Sequence, residues 1–131
     1  MKVLALDHGP ARTGVAVSDP TGTIARPLPA ILRVDSPQGA AQLDRLIAEE
    51  APERILVGDP RGLSGARGAQ ARSAGGFAAR LRARVTTPVE LVDERLTTVE
   101  AGRRRAESGA RADLDSLAAC VLLEGYLASR R

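Results

Sequence analysis

Apolar and polar positions along the chain alternate between two periods. Val3 to Leu6 form a short apolar run that stops at Asp7, a Gly9-Pro10 turn follows, and Gly14 to Ser18 read as the returning strand of a hairpin. Ala25 to Leu32 suit a third strand, but Pro27 and Pro29 each lack an N–H, which favours a sheet edge or a loop for that half. Ser36-Pro37 then supplies an N-cap followed by proline at the first helical position, and Ala40, Leu43, Leu46 and Ile47 recur at helical spacing until Pro52. Ile55-Leu56-Val57, bounded by Gly58-Asp59-Pro60, reads as a buried central strand, with the Gly- and Arg-rich loop "GDPRGLSGARG" after it. Ala74, Phe77, Ala78 and Leu81 mark a second helix, and Val89 to Val92 another strand. Thr97 to Glu107 reads as helical, Ser108 to Ala112 as a linker, and Asp113 to Ser129 as a closing helix. This order predicts an α/β fold: one mixed five-stranded sheet with helices on both faces, residues 1–131 forming a single domain.

Composition narrows what such a domain does. The chain is 44% hydrophobic but only 2% aromatic, so its core is aliphatic, and Phe77 and Tyr126 are its only aromatics. Single-strand binding on stacked rings is therefore excluded as a main activity. Net charge is +3, with 18 Arg against the single Lys2, so the cationic surface consists of planar guanidinium forks suited to phosphates or of a codon bias toward Arg. Cys120 is the only cysteine, which rules out an intramolecular disulfide and points to a small core filler in a reducing compartment. No apolar run approaches transmembrane length, and the expectation is a soluble cytoplasmic protein that meets no membrane.

Several carboxylates sit where a structural sheet would not want them. Asp7 ends a strand expected at the sheet centre, where an unpaired carboxylate costs several kcal/mol. It is either a turn-forming cap on His8-Gly9 or a metal ligand, approached over the glycines at 9 and 14. On a helical wheel Asp115 falls between Leu122 and Tyr126 and close to Ala118, on the apolar side of the closing helix, while Asp113 is better placed to cap it. In "LVDERLTTVE", Thr97 and Glu100 match a capping box, which leaves Asp93, Glu94 and Arg95 at the strand end. Alternation lets only one of Asp93 and Glu94 face a given partner, and Glu94, with its longer arm, is the one expected at the ion. Acids converging from strand and helix ends without a His or Cys cluster make a hard oxygen site for Mg²⁺ or Mn²⁺, which suits phosphodiester hydrolysis. His8, the only histidine, reads as a solvated turn residue, so a serine or cysteine nucleophile has no partner base.

The segments "LALDHGPARTGVAVSD", "ARPLPAI", "ILVGDP", "LVDERLTTVEA" and "LDSLAACVLLEGYL" resemble, in order and over nearly the whole chain, the motifs of the YqgF/RuvX family. That resemblance implies an RNase H-like fold and a divalent-metal-dependent nuclease, either maturing the 5′ end of pre-16S ribosomal RNA or resolving Holliday junctions. It implies metal ligation by Asp7, Asp93, Glu94 and Asp115, with Asp7, Glu94 and Asp115 as the catalytic acids. Asp59 departs from the family pattern, which has Leu there, and reads as a turn residue before Pro60, with a further ligand as the alternative. Arg12, Arg61, Arg67, Arg72 and Arg95 are candidate phosphate contacts that would position substrate without reading sequence. The implied partners are structured RNA or branched DNA and pre-ribosomal particles, and the chain would work as a monomer or a homodimer. Two other classes remain open: a nucleic-acid or ribosome-associated binding protein without turnover, and a remnant of the actin-like ATPases, which also carry DxG after a strand.

Overall fold

The computed structural model of the chain describes residues 1–59, 69–93 and 116–130, with the backbone alone for residues 69–73. Five strands form one sheet: β1 (Val3–Asp7), β2 (Arg12–Ser18), β3 (Ala25–Leu32), β4 (Arg54–Asp59) and β5 (Val89–Asp93). Their spatial order is β3-β2-β1-β4-β5. The β1–β2 and β2–β3 pairs are antiparallel hairpins, whereas β4 lies parallel to β1 and β5 parallel to β4. Parallel neighbours need crossovers, and α1 (Pro37–Glu50) and α2 (Ala69–Arg84) lie in the connections before β4 and β5. The last described helix, α3 (Leu117–Ser129), packs on the opposite face. The helix expected over 97–107 and the first turn of the helix expected from Asp113 lie outside the described residues.

Side-chain alternation divides the core into two layers. Leu4, Leu6, Val15, Ile55 and Val57 face α1 and α2, where they meet Leu43, Phe77 and Leu81. Val3, Ala5, Ala16, Leu56 and Val92 face α3, against Leu122, Leu123 and Tyr126. β1 is buried on both faces, as expected of a continuous apolar run at the sheet centre. β3 takes the edge, where the missing N–H groups of Pro27 and Pro29 cost least. Cys120 is fully buried among the α3-side residues, as its apolar surroundings indicate. Ala118, by contrast, is exposed, although Leu122 and Gly125, which flank it on the helical wheel, are buried.

Local chemistry sets the ends of these elements. The Ser36 hydroxyl accepts the Gly39 N–H at 3.0 Å and Pro37 occupies the first turn of α1. The helix closes on Ala51 in the left-handed region (φ 46°), just before Pro52. Asp19 organises the β2–β3 connection by accepting the N–H groups of Thr23 and Ile24, both at 2.8 Å. Those hydrogen bonds, with one from the Thr21 hydroxyl, hold its carboxyl well below the usual carboxylate range.

Gly39 is where the chain needs the absence of a side chain. A Cβ there would lie 2.1 Å from the Arg33 carbonyl oxygen and 2.7 Å from Val34 Cα, both backbone atoms. Gly39→Ala is therefore expected to lower unfolding stability by about 1–3 kcal/mol. Gly75→Ala, in α2 with nothing within 4 Å, is expected to raise it by up to about 1 kcal/mol through helix propensity. Paired urea melts check the opposite signs.

Candidate metal and nucleic-acid site

One end of the sheet gathers the candidate chemistry. β1, β4 and β5 run parallel, so their C-terminal residues Asp7, Asp59 and Asp93 reach the same end, and antiparallel β2 begins there with the exposed Arg12. Asp7 is half-buried and pairs across the ladder with Gly14. Cross-strand partners share a face, and this pair continues the Ala5–Ala16 pair on the α3 face. Gly14 thus contributes no side chain of its own beside Asp7.

The pleat separates the other two acids from Asp7. Asp59 and Asp93 are in register with each other. They follow Val57 and Leu91 by two residues, which places them on the α1–α2 face. The sheet therefore brings Asp93 to the same end as Asp7 but not to the same face. Val92 is the β5 residue on the Asp7 face, and Glu94 lies outside the described residues. Asp59 is the buried last residue of β4, within the ladder, rather than a turn residue.

α3 enters the same end through Ser116. Its hydroxyl accepts the Val15 N–H at 3.0 Å and donates to the Leu28 carbonyl at 2.6 Å. Val15 adjoins Gly14, the partner of Asp7, so the chain just after Asp115 is fixed one residue along β2 from that partner. Sequence reasoning passed over Ser116; its only signal was a hydroxyl opening the apolar run "LAACVLL". Asp115, Arg61, Arg67 and Arg95 lie outside the described residues, and of Arg72 only the backbone in the first turn of α2 is described. Among the described residues no three His, Cys, Asp or Glu side chains are grouped to hold a metal.

His8 differs from the expected solvated turn residue. It is 6% exposed, and its ring stacks on Phe77 at 4.5 Å between centroids and 18° between planes. Its Nε2 lies 3.2 Å from Asp35 Oδ2, and Arg80 donates to Asp35 Oδ1 at 2.9 Å. The residue after Asp7 is thus pinned to α2 and to the loop before α1. These partners are remote in sequence, which is why the local turn pattern did not reveal them.

Burial works against ionisation of Asp35, but the hydrogen bonds from His8 and Arg80 and their charges outweigh it and hold the carboxyl below its ordinary value. A lowered folded-state pKa gives stability that is present above the unfolded value, about 3.9, and lost as pH falls through the folded one. Asp35→Asn is expected to cost less than about 1 kcal/mol at pH 7, since the side chain is half-exposed, and progressively less as pH falls through the lowered folded-state pKa. Thermal melts of both proteins across that range measure the difference.

With this geometry established, a family profile described as "RuvX: Holliday junction resolvase" matches residues 1–129. The chain belongs to the RuvX family. Among its relatives, a protein of Thermobifida fusca named "Putative pre-16S rRNA nuclease" is 44% identical over 144 residues, covering 98% of this chain and 87% of its own. One of the same name from Moorella thermoacetica is 40% identical, covering 97% of this chain and 94% of its own. The RuvX chain also has the fold of Thermus thermophilus RuvC, solved in complex with a Holliday junction substrate, with a TM-score of 0.59 at 20% identity over 99% of this chain and 95% of that one. The Fowlpox virus resolvase gives a TM-score of 0.57 at 13% identity over 99% of both chains. This likeness establishes the RNase H-like architecture expected from the sequence.

Proposed function

We propose that this RuvX-family protein is a divalent-metal-dependent nuclease that trims the 5′ end of pre-16S ribosomal RNA. The observation that carries this reading is the meeting, at one sheet end, of Asp7 with the N-terminal end of α3. Full-length relatives about 40% identical bear the corresponding name. The donor set fits a hard cation: the candidate ligands are all carboxylates, and the cross-strand partner of Asp7 is a glycine, which adds no side chain of its own there. Asp7, Glu94 and Asp115 would hold Mg²⁺ or Mn²⁺, while Asp93 lies on the other face of the sheet. When bound, such an ion supplies Lewis-acid stabilisation and a water that is nucleophilic at neutral pH.

The remaining work falls to the chain itself. The carboxylates fix where the scissile phosphate can sit, and the stacked His8 holds the Asp7 strand end against α2. Arg12, exposed at the same end, neutralises a flanking phosphate, with Arg61, Arg67, Arg72 and Arg95 extending that contact. The protein works in the cytoplasm on pre-ribosomal particles, as a monomer or a homodimer. Among the described residues no helix is long and apolar enough to cross a membrane. The family description favours one other reading, cleavage of branched DNA, which requires a homodimer presenting two symmetry-related sites.

Incubating the purified protein with a 5′-extended 16S precursor and with a four-way DNA junction, each with Mg²⁺, Mn²⁺ or EDTA, separates the readings. Metal-dependent trimming of the RNA with the junction intact is expected. Paired nicks in the junction with the RNA untouched would reassign the substrate, and cleavage of neither would leave a binding protein.

A further inference from the structure

We infer that Ser116 is a positioning residue for the last carboxylate of the site, acting through the irregularity between β2 and β3. The inference rests on the proposed metal-binding role of Asp115. Pairing between these strands runs Thr13↔Ile31 and then Val15↔Leu28, so β3 carries one more residue than β2 between the two pairs. Such a bulge interrupts the ladder, and the Ser116 hydroxyl joins both strands there, accepting the Val15 N–H and donating to the Leu28 carbonyl. Ser116 is fully buried.

A serine opening a helix ordinarily turns its hydroxyl onto the helix's own free N–H groups. Here the Ser116 hydroxyl makes no capping bond to α3 and serves the sheet instead. Consecutive Cα atoms are about 3.8 Å apart, so fixing Ser116 fixes the point from which Asp115 departs. That point is tied to the β2 residue next to Gly14, across from Asp7. Two elements far apart in sequence thereby gain a common reference for their carboxylates. Residues that orient metal ligands from outside typically change affinity or activity by about 10- to 100-fold when altered.

Ser18 supplies a matched control. It is also buried, and its hydroxyl accepts the Val3 N–H at 2.8 Å while donating to main-chain carbonyls, but at the opposite end of β1. The experiment measures thermal unfolding, Mn²⁺ affinity by electron paramagnetic resonance, and kcat and KM on the precursor RNA. Ser116→Ala and Ser18→Ala are expected to lower the melting temperature comparably. Only Ser116→Ala is expected to weaken Mn²⁺ binding about 10-fold or more and to lower kcat by a similar factor with KM unchanged. Should Ser116→Ala fail to fold, Ser116→Cys, close in size but a weak hydrogen-bonder, replaces it, and Ser116→Thr is expected to restore binding. Wild-type Mn²⁺ affinity in a destabilised Ser116→Ala or Ser116→Cys would overturn the inference. Asp115→Asn, run in parallel, must itself lose Mn²⁺ affinity; if it does not, the metal-site reading fails rather than the positioning role alone.

Discussion

Asp7→Asn is expected to lower the rate of precursor cleavage by roughly 10²- to 10⁴-fold while the protein still unfolds cooperatively. The size follows from the several kcal/mol that a correctly held cation contributes to phosphoryl chemistry, with each 1.4 kcal/mol worth tenfold. The substitution keeps the shape of the side chain at the end of β1 and removes its charge, so the ladder bonds to β2 and β4 are not disturbed. Single-turnover assays at saturating enzyme isolate the chemical step. Asp93→Asn is the informative companion: Asp93 lies on the α1–α2 face, so it is expected to retain most activity. A loss as large as that of Asp7→Asn would place Asp93 in the site after all.

Phe77→Ala carries the largest expected stability cost. Phe77 is 1% exposed and is among the largest fully buried side chains described, on the helix α2 that packs against β4 and β5. Truncating a buried phenylalanine costs about 3–5 kcal/mol, a large share of the roughly 5–15 kcal/mol that a domain possesses. For a chain of this length that corresponds to a fall in melting temperature of roughly 10–18 °C. The His8 ring also loses its stacking partner, which loosens the residue next to Asp7. Differential scanning calorimetry of Phe77→Ala against Phe77→Leu separates the two contributions, since leucine restores much of the apolar contact but not the ring.

The architecture could be read from local pattern because local pattern causes most of it. Val3 to Leu6 and Ile55 to Val57 are apolar without interruption since both lie at the sheet centre. Pro27 and Pro29 put β3 at the edge, and Ser36-Pro37 starts α1 where a cap and a donor-less residue belong. Asp7 stood out in the same way, as a charge ending a central strand. What stayed hidden depends on register and on contacts between distant segments. Which face Asp93 occupies follows from the pairing of β5 with β4, and the burial of His8 from Phe77 and Asp35, neither of which a short window contains. Ser116 was invisible for the same reason: its role exists only where β2 and β3 fall out of step.

In the proposed mechanism, the carboxylates at the Asp7 end of the sheet hold the divalent cation on which cleavage depends. Counting Mn²⁺ bound to the purified wild-type protein and to Asp7→Asn by electron paramagnetic resonance tests it without reference to any substrate. Saturable binding to the wild type that Mg²⁺ displaces is expected, with its loss in Asp7→Asn. Equal Mn²⁺ affinity in the two proteins would contradict it.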